Sequence, residues 1–126
     1  PLRALRADPL ARYTPPGARL VDERTTDQRS GGLLGKPREA RYERLYAVGG
    51  APVAAYGDAV VAANRAGWEL DVDDGDVTGR NVALLSKTTS SGRSSATITL
   101  LRSADGLPDG VRPPVLSVVL LHHGSS

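Results

Sequence analysis

The chain has 126 residues, of which 40% are hydrophobic and 24% charged, values that are typical of one globular domain and exclude wholesale disorder. A net charge of +2 without a dense basic stripe argues against nucleic-acid binding, and the lack of cysteine excludes disulfides, thiol nucleophiles and thiolate metal sites. With no Phe, no Met and one Trp, the core must be built mainly from Val, Leu, Ala and four Tyr, which favours a thin two-layer sandwich.

The first segment, residues 1–17, contains four prolines and has only weak apolar periodicity. This composition predicts an extended leader, with at most one short helical turn around residues 2–6. The triplet Pro15-Pro16-Gly17 predicts a turn that leads into the first strand.

Two strands are predicted next. Residues 18–26 form the first, residues 27–37 are a glycine-rich connection, and residues 38–48 alternate as a half-buried strand does. The alternation places Tyr42, Tyr46 and Val48 on one side of that strand and Arg41 and Glu43 on the other.

The clearest local signal is a helix over residues 52–66. Pro52 suits a first helical position because its φ is fixed and it has no N–H to leave unpaired. Gly67 suits the left-handed position that ends a helix, and Trp68 can then fold back onto the last turn near Ala63.

Four further strands follow, over residues 68–72, 80–88, 95–102 and 115–121. The second and third form an antiparallel hairpin with Ala96, Ile98 and Leu100 on one face, and the last is apolar on both faces, as a central strand is. The order β-β-α-β-β-β-β predicts an α+β two-layer sandwich with one main helix packed on an antiparallel sheet. We expect a single domain over residues 18–121 and a tail over residues 122–126.

An acidic run near the middle of the chain is a candidate cation site. Asp71, Asp73, Asp74 and Asp76 fall within six residues, and Ca²⁺ prefers several carboxylates on a bent loop. The EF-hand pattern fails, however, because Asp76 stands where its glycine belongs. A solvated turn is the alternative, since Asp and Gly are the residues that turns favour. We expect no cofactor other than this possible Ca²⁺.

The only two histidines, His122 and His123, are adjacent, so a strand would point them to opposite faces and they would not chelate one metal together. No motif supplies a base-orienting partner for catalysis. The aromatic residues are the better candidates for a site. Tyr42, Tyr46, Tyr56 and Trp68 can line an apolar ligand or peptide groove between helix and sheet, or can simply fill the core.

The segment DPLARYTPPGARLV, the tyrosine-bearing strand, the helix that ends in RAGWEL and the later strands are together similar to the soluble portion of small membrane-anchored or lipoprotein-type proteins of high-GC actinobacteria. The similarity lies in style and order over residues 8–121. It implies an extracytoplasmic domain that meets the membrane only through an upstream anchor, and it assigns no functional residue.

These observations favour a non-enzymatic extracytoplasmic domain that binds a protein partner or a small ligand. A small enzyme or cation-binding domain with its site in the 71–80 loop is the alternative. A third is an oligomerising module, such as a homodimer, that pairs through an exposed strand edge.

Overall fold

The computed structural model describes residues 2–28, 39–73, 81–89, 92–103 and 107–124. These residues form six strands and three helices. In chain order they are α1 (Leu2–Ala7), α2 (Pro9–Arg12), β1 (Ala18–Gln28), β2 (Glu39–Val48), α3 (Pro52–Arg65), β3 (Glu69–Asp73), β4 (Val82–Thr89), β5 (Gly92–Leu101) and β6 (Val115–Gly124). Among the described helices, none is long and apolar enough to cross a membrane.

All six strands belong to one antiparallel sheet in the order β1-β2-β6-β5-β4-β3. This agrees with the predicted α+β class. The apolar last strand, β6, lies between β2 and β5, as its two-sided hydrophobicity predicts. Because α3 connects β2 to β3 at the far edge, it crosses the sheet and contacts β6, β5 and β3.

Helix α3 begins and ends where the local sequence predicts. Pro52 occupies its first turn, and Gly67 takes a φ of 94° just after it. The Trp68 N–H donates to Ala63 O over 3.0 Å, and the Gly67 N–H donates to Asn64 O over 3.1 Å. This pair of bonds is a Schellman motif, which satisfies two carbonyls that the helix end would otherwise leave unpaired.

The core lies between the helices and one face of the sheet. Strand β5 shows the alternation most clearly, because Ser94, Ala96, Ile98 and Leu100 are buried and the residues between them are not. The prediction for this face is therefore confirmed. The same face receives the buried side of α3, formed by Ala55, Tyr56, Ala59, Val60 and Ala63.

The prediction of an extended leader is wrong, although the short helical turn expected around residues 2–6 is present within α1. Residues 2–12 form α1 and α2, and Leu5, Leu10 and Ala11 are each at most 3% exposed within the core. The local cause is the pair Asp8-Pro9. Asp8 accepts a hydrogen bond from the Leu10 N–H as an N-cap, and Pro9 fits the first helical turn.

The predicted tail is also wrong in part, because β6 continues through Gly124. The extension follows from its neighbour. Strand β5 begins at Gly92 rather than residue 95, so Arg93 pairs with His123 and Gly92 with Gly124. His122 is buried and His123 exposed, which confirms that the two rings point to opposite faces.

Candidate functional site

A groove opens between α2 and the C-terminal half of α3. Its volume is about 460 Å³, which lies within the usual range of small-molecule sites. It is lined by Pro9, Tyr13, Asp58, Val61, Ala62, Arg65 and Ala66.

The wall contributed by α3 is a single helical stripe. Asp58, Val61, Ala62 and Arg65 follow the spacing i, i+3, i+4 and i+7, which brings side chains to one face of a helix. The small side chains of Ala62 and Ala66 leave open space beside α2. Val61 is 47% exposed, although it is a large apolar residue. The stripe offers apolar surface in its middle and a charge at each end.

The wall contributed by α2 is held in place by the Asp8 carboxylate. Its Oδ1 accepts hydrogen bonds from the Leu10 N–H and from Trp68 Nε1, both over 2.9 Å. Its Oδ2 accepts from Lys87 Nζ over 2.8 Å, and the same ammonium donates to Ala66 O over 2.8 Å. One carboxylate thus joins α2, the end of α3 and β4, and fixes the groove at Ala66.

Tyr13 adds a polar group to the groove from just beyond α2. Its backbone carbonyl accepts a hydrogen bond from the Tyr46 hydroxyl over 2.8 Å, which ties this position to β2. Burial raises the pKa of the Tyr13 phenol above its ordinary value of about 10, the nearby Asp58 carboxylate raises it further, and Arg65 opposes this to a smaller extent. The phenol is therefore a neutral hydrogen-bond donor at physiological pH.

The groove combines three kinds of recognition. Val61, Ala62 and Pro9 supply apolar contact area, and Tyr13 supplies a hydroxyl donor and acceptor. Asp58 and Arg65 are seven residues apart, which is about 10 Å along the helix axis. Opposite charges at this separation can bind opposite ends of one small molecule.

The four aromatic residues predicted to line a groove lie elsewhere. Tyr42, Tyr46, Tyr56 and Trp68 are each at most 5% exposed, and none of them lines a cavity described here. The physical reason is the composition: without Phe or Met, these rings are the largest apolar groups that can fill the core. From the core, Tyr46 and Trp68 stabilise the groove by donating hydrogen bonds to Tyr13 O and Asp8 Oδ1.

The predicted cation site is described only in part, because Asp74 and Asp76 lie outside the described residues. Asp73 Oδ1 accepts a hydrogen bond from the Tyr56 hydroxyl over 2.8 Å on the helical side of the sheet. A bulge between Leu70 and Val72 interrupts the alternation of β3, and Asp71 lines a cavity with residues of β4 and β5. In the described ranges no three acidic or histidine side chains converge as metal ligands. The Ca²⁺ site stays a prediction.

Sequence reasoning missed Tyr13, Asp58 and Arg65. Two signals were available: the Asp8-Pro9 capping pair for α2, and the stripe that places Asp58, Val61 and Arg65 on one face of α3. Neither signal shows which elements pack together, and the groove exists only because α2 lies beside α3.

Comparison with known protein families, with curated proteins and with solved structures gave no match.

Proposed function

We propose that this chain is a non-enzymatic binding domain that holds a small amphipathic ligand in the groove between α2 and α3. The observation that supports this most strongly is the makeup of the groove: an apolar floor with a phenol, a carboxylate and a guanidinium at its margins. Such a combination of apolar walls and few convergent polar groups is typical of small-molecule sites. The proposal includes the predicted two-layer order β-β-α-β-β-β-β and an extracytoplasmic location.

The positions of the charges suggest the chemistry of the ligand. An anionic group would pair with the Arg65 guanidinium, and a hydrogen-bond donor or ammonium group would face Asp58. The apolar body of the ligand would lie against Val61, with Tyr13 as an uncharged hydrogen-bonding partner. Amino-acid-like zwitterions with a hydrophobic side chain have this pattern.

Anilinonaphthalene sulfonate, an aromatic anion, is a suitable first probe because its fluorescence rises in apolar surroundings. Val61→Ser removes the exposed apolar floor without disturbing the core. We expect it to weaken dye binding about fivefold, since losing roughly 1 kcal/mol of apolar contact has that effect. Val53→Ser is the matched control, because Val53 is 52% exposed on the same helix and does not line the groove.

A second variant tests the polar half of the proposal. Arg65→Gln is expected to weaken dye binding while Val53→Ser leaves it unchanged, because the sulfonate loses its guanidinium partner. Equal binding by the wild type, Val61→Ser and Arg65→Gln would rule the groove out as the binding site. If both variants weaken dye binding, displacement of the dye by free leucine and by leucine amide shows whether the carboxylate of a ligand matters.

A further inference from the structure

A second cavity lies on the sheet face opposite the helices, where β3, β4, β5 and β6 meet. Its volume is about 410 Å³. Its lining includes Leu84, Ser86, Arg93, Ser95 and His123, with Asp71 also contributing to the wall. It shares no residue with the groove between α2 and α3.

The strand register explains why the polar groups come together. Arg93 pairs directly with His123, and Ser95 pairs directly with Ser86, so the four side chains occupy neighbouring positions on one face. Adjacent strands are about 4.8 Å apart and residues two apart on a strand are about 6.6 Å apart. The hydroxyl of Ser95 lies 3.4 Å from His123 Nε2, so it can hydrogen-bond to the ring. A group the size of a carboxylate or phosphate can contact several of these side chains at once.

Arg93 gives this cavity a positive charge that no described acidic side chain pairs with. Two arginines of β1 and β2 form ion pairs: Arg24 with Asp22 over 3.1 Å and Arg41 with Glu43 over 3.4 Å. The side chain of Arg93, in contrast, is exposed and forms no ion pair or hydrogen bond with any residue that the structure describes. Its five N–H donors are available to an external acceptor.

The other walls define what accompanies the anion. The side chain of Leu84 is 42% exposed although it lies within a strand, so it offers apolar surface to a ligand. Asp71, which lines the cavity from β3, disfavours a second negative group there. The set therefore matches a small oxyanion with one anionic group and a short apolar portion.

We infer that this cavity binds a small organic oxyanion, with its carboxylate or phosphate held by Arg93 and by the hydroxyls of Ser86 and Ser95, and with its apolar portion against Leu84. The arrangement requires no covalent step. It is independent of the proposed groove, because the two sites lie on opposite sides of the sheet.

The test is to titrate the full chain with sodium acetate, sodium butyrate or sodium phosphate at constant ionic strength. Proton–nitrogen correlation NMR spectra monitor the backbone amides during each titration. Saturable shifts confined to the amides around Ser86, Arg93 and Ser95 are expected. Butyrate should bind more tightly than acetate because it reaches Leu84, and Leu84→Ser should remove that preference. Comparison of butyrate with phosphate shows which oxyanion the cavity prefers.

Arg93→Gln should weaken the binding of butyrate or phosphate about fivefold or more, because a charge-assisted hydrogen bond is lost. Arg93→Lys keeps the charge and should restore part of the affinity. Arg3→Gln is the matched control, since it removes one exposed positive charge from α1. Non-saturating shifts, or equal losses in Arg93→Gln and Arg3→Gln, would overturn the inference. Unchanged dye binding by Arg93→Gln would show that the proposed groove is unaffected.

Discussion

Replacement of Asp8 by alanine should destabilise the whole domain, although Asp8 lies in a segment whose sequence predicts an extended leader. The side chain of Asp8 is only 11% exposed, and that of its partner Lys87 is 23% exposed. Asp8→Ala removes the cap of α2, the acceptor of the Trp68 indole N–H and the counter-ion of Lys87 at once. These contacts join three separate parts of the chain.

The magnitude follows from the three contacts. Loss of an N-cap costs about 1 kcal/mol. Loss of the acceptor for the indole costs about 1 kcal/mol more. Removal of one partner from a buried ion pair costs about 3 kcal/mol at the low end, and the low end applies here because Lys87 keeps its bond to Ala66 O. Since these terms overlap, we expect a total of about 4 kcal/mol, a large part of the 5–15 kcal/mol typical of a domain.

The assay is urea unfolding followed by the fluorescence of Trp68, the single tryptophan. Asp8→Asn provides a graded comparison. Its side-chain oxygen can still accept from Leu10 N–H and Trp68 Nε1, which both use Oδ1 in the wild type, whereas the charge that faces Lys87 is lost. It should therefore cost about half as much as Asp8→Ala. A double-mutant cycle with Lys87→Met should give a coupling energy of about 1–3 kcal/mol.

The result that would refute this reasoning is specific. If Asp8→Ala lowers the free energy of unfolding by less than about 1 kcal/mol, the cost is that of a surface cap alone. In that case α2 would not be fixed against α3 and β4, and dye binding in the groove should also be insensitive to Asp8→Ala.

Two other predictions concern the rest of the fold. Gly92→Ala should lower the melting temperature much more than Gly50→Ala. Both glycines have positive φ, but an added Cβ at Gly92 would lie 2.8 Å from His123 O, whereas one at Gly50 would meet open space. Equal decreases in melting temperature would refute the close contact at Gly92. The free energy of unfolding should be unaffected by tyrosine ionisation below about pH 10 and should fall above it, because burial raises the phenol pKa values in the folded state and the unfolded chain then releases these protons first. The residues concerned are Tyr13, Tyr42 and Tyr46. Urea unfolding at increasing alkaline pH measures the loss of stability, and the ultraviolet absorbance of tyrosinate measures the ionisation of the phenols. Ionisation of all three near the pKa of free tyrosine would contradict the prediction.

The parts of the fold that the sequence predicts well are those with local signals. The bounds of α3 follow from Pro52 and Gly67, because the cap geometry depends only on residues within one turn. The central position of β6 follows from its two-sided hydrophobicity. In residues 1–17 the prolines predict an extended chain, whereas Asp8 and Pro9 form a helix start signal. A helix of four residues, such as α2, is too short to show the apolar periodicity that would have favoured the helix.

The candidate site was harder to predict, because none of its chemistry is local. Tyr13 and Arg65 are far apart in sequence and come together only through the packing of α2 on α3. The aromatic residues gave an ambiguous signal, since a large ring is equally suited to a core and to a groove. Only packing decides between those uses. The acidic residues remain a prediction: in a regular strand Asp71 and Asp73 would share a face, but the bulge in β3 interrupts that alternation.

The unusual core composition also explains why the leader belongs to the domain. A core without Phe or Met must use Tyr, Trp and long basic side chains, and each of these brings a polar tip into the interior. The leader supplies the acceptors for these tips: Tyr13 O for Tyr46, Ala11 O for Arg44, and the Asp8 carboxylate for Trp68 and Lys87. Without α1 and α2, these donors would lose their acceptors. Each donor that stayed buried and unpaired would cost about 1–3 kcal/mol, and the others would be exposed to solvent together with the apolar residues around them. The same packing that satisfies the core therefore creates the groove, so the stability of the domain and its proposed binding site depend on one set of contacts.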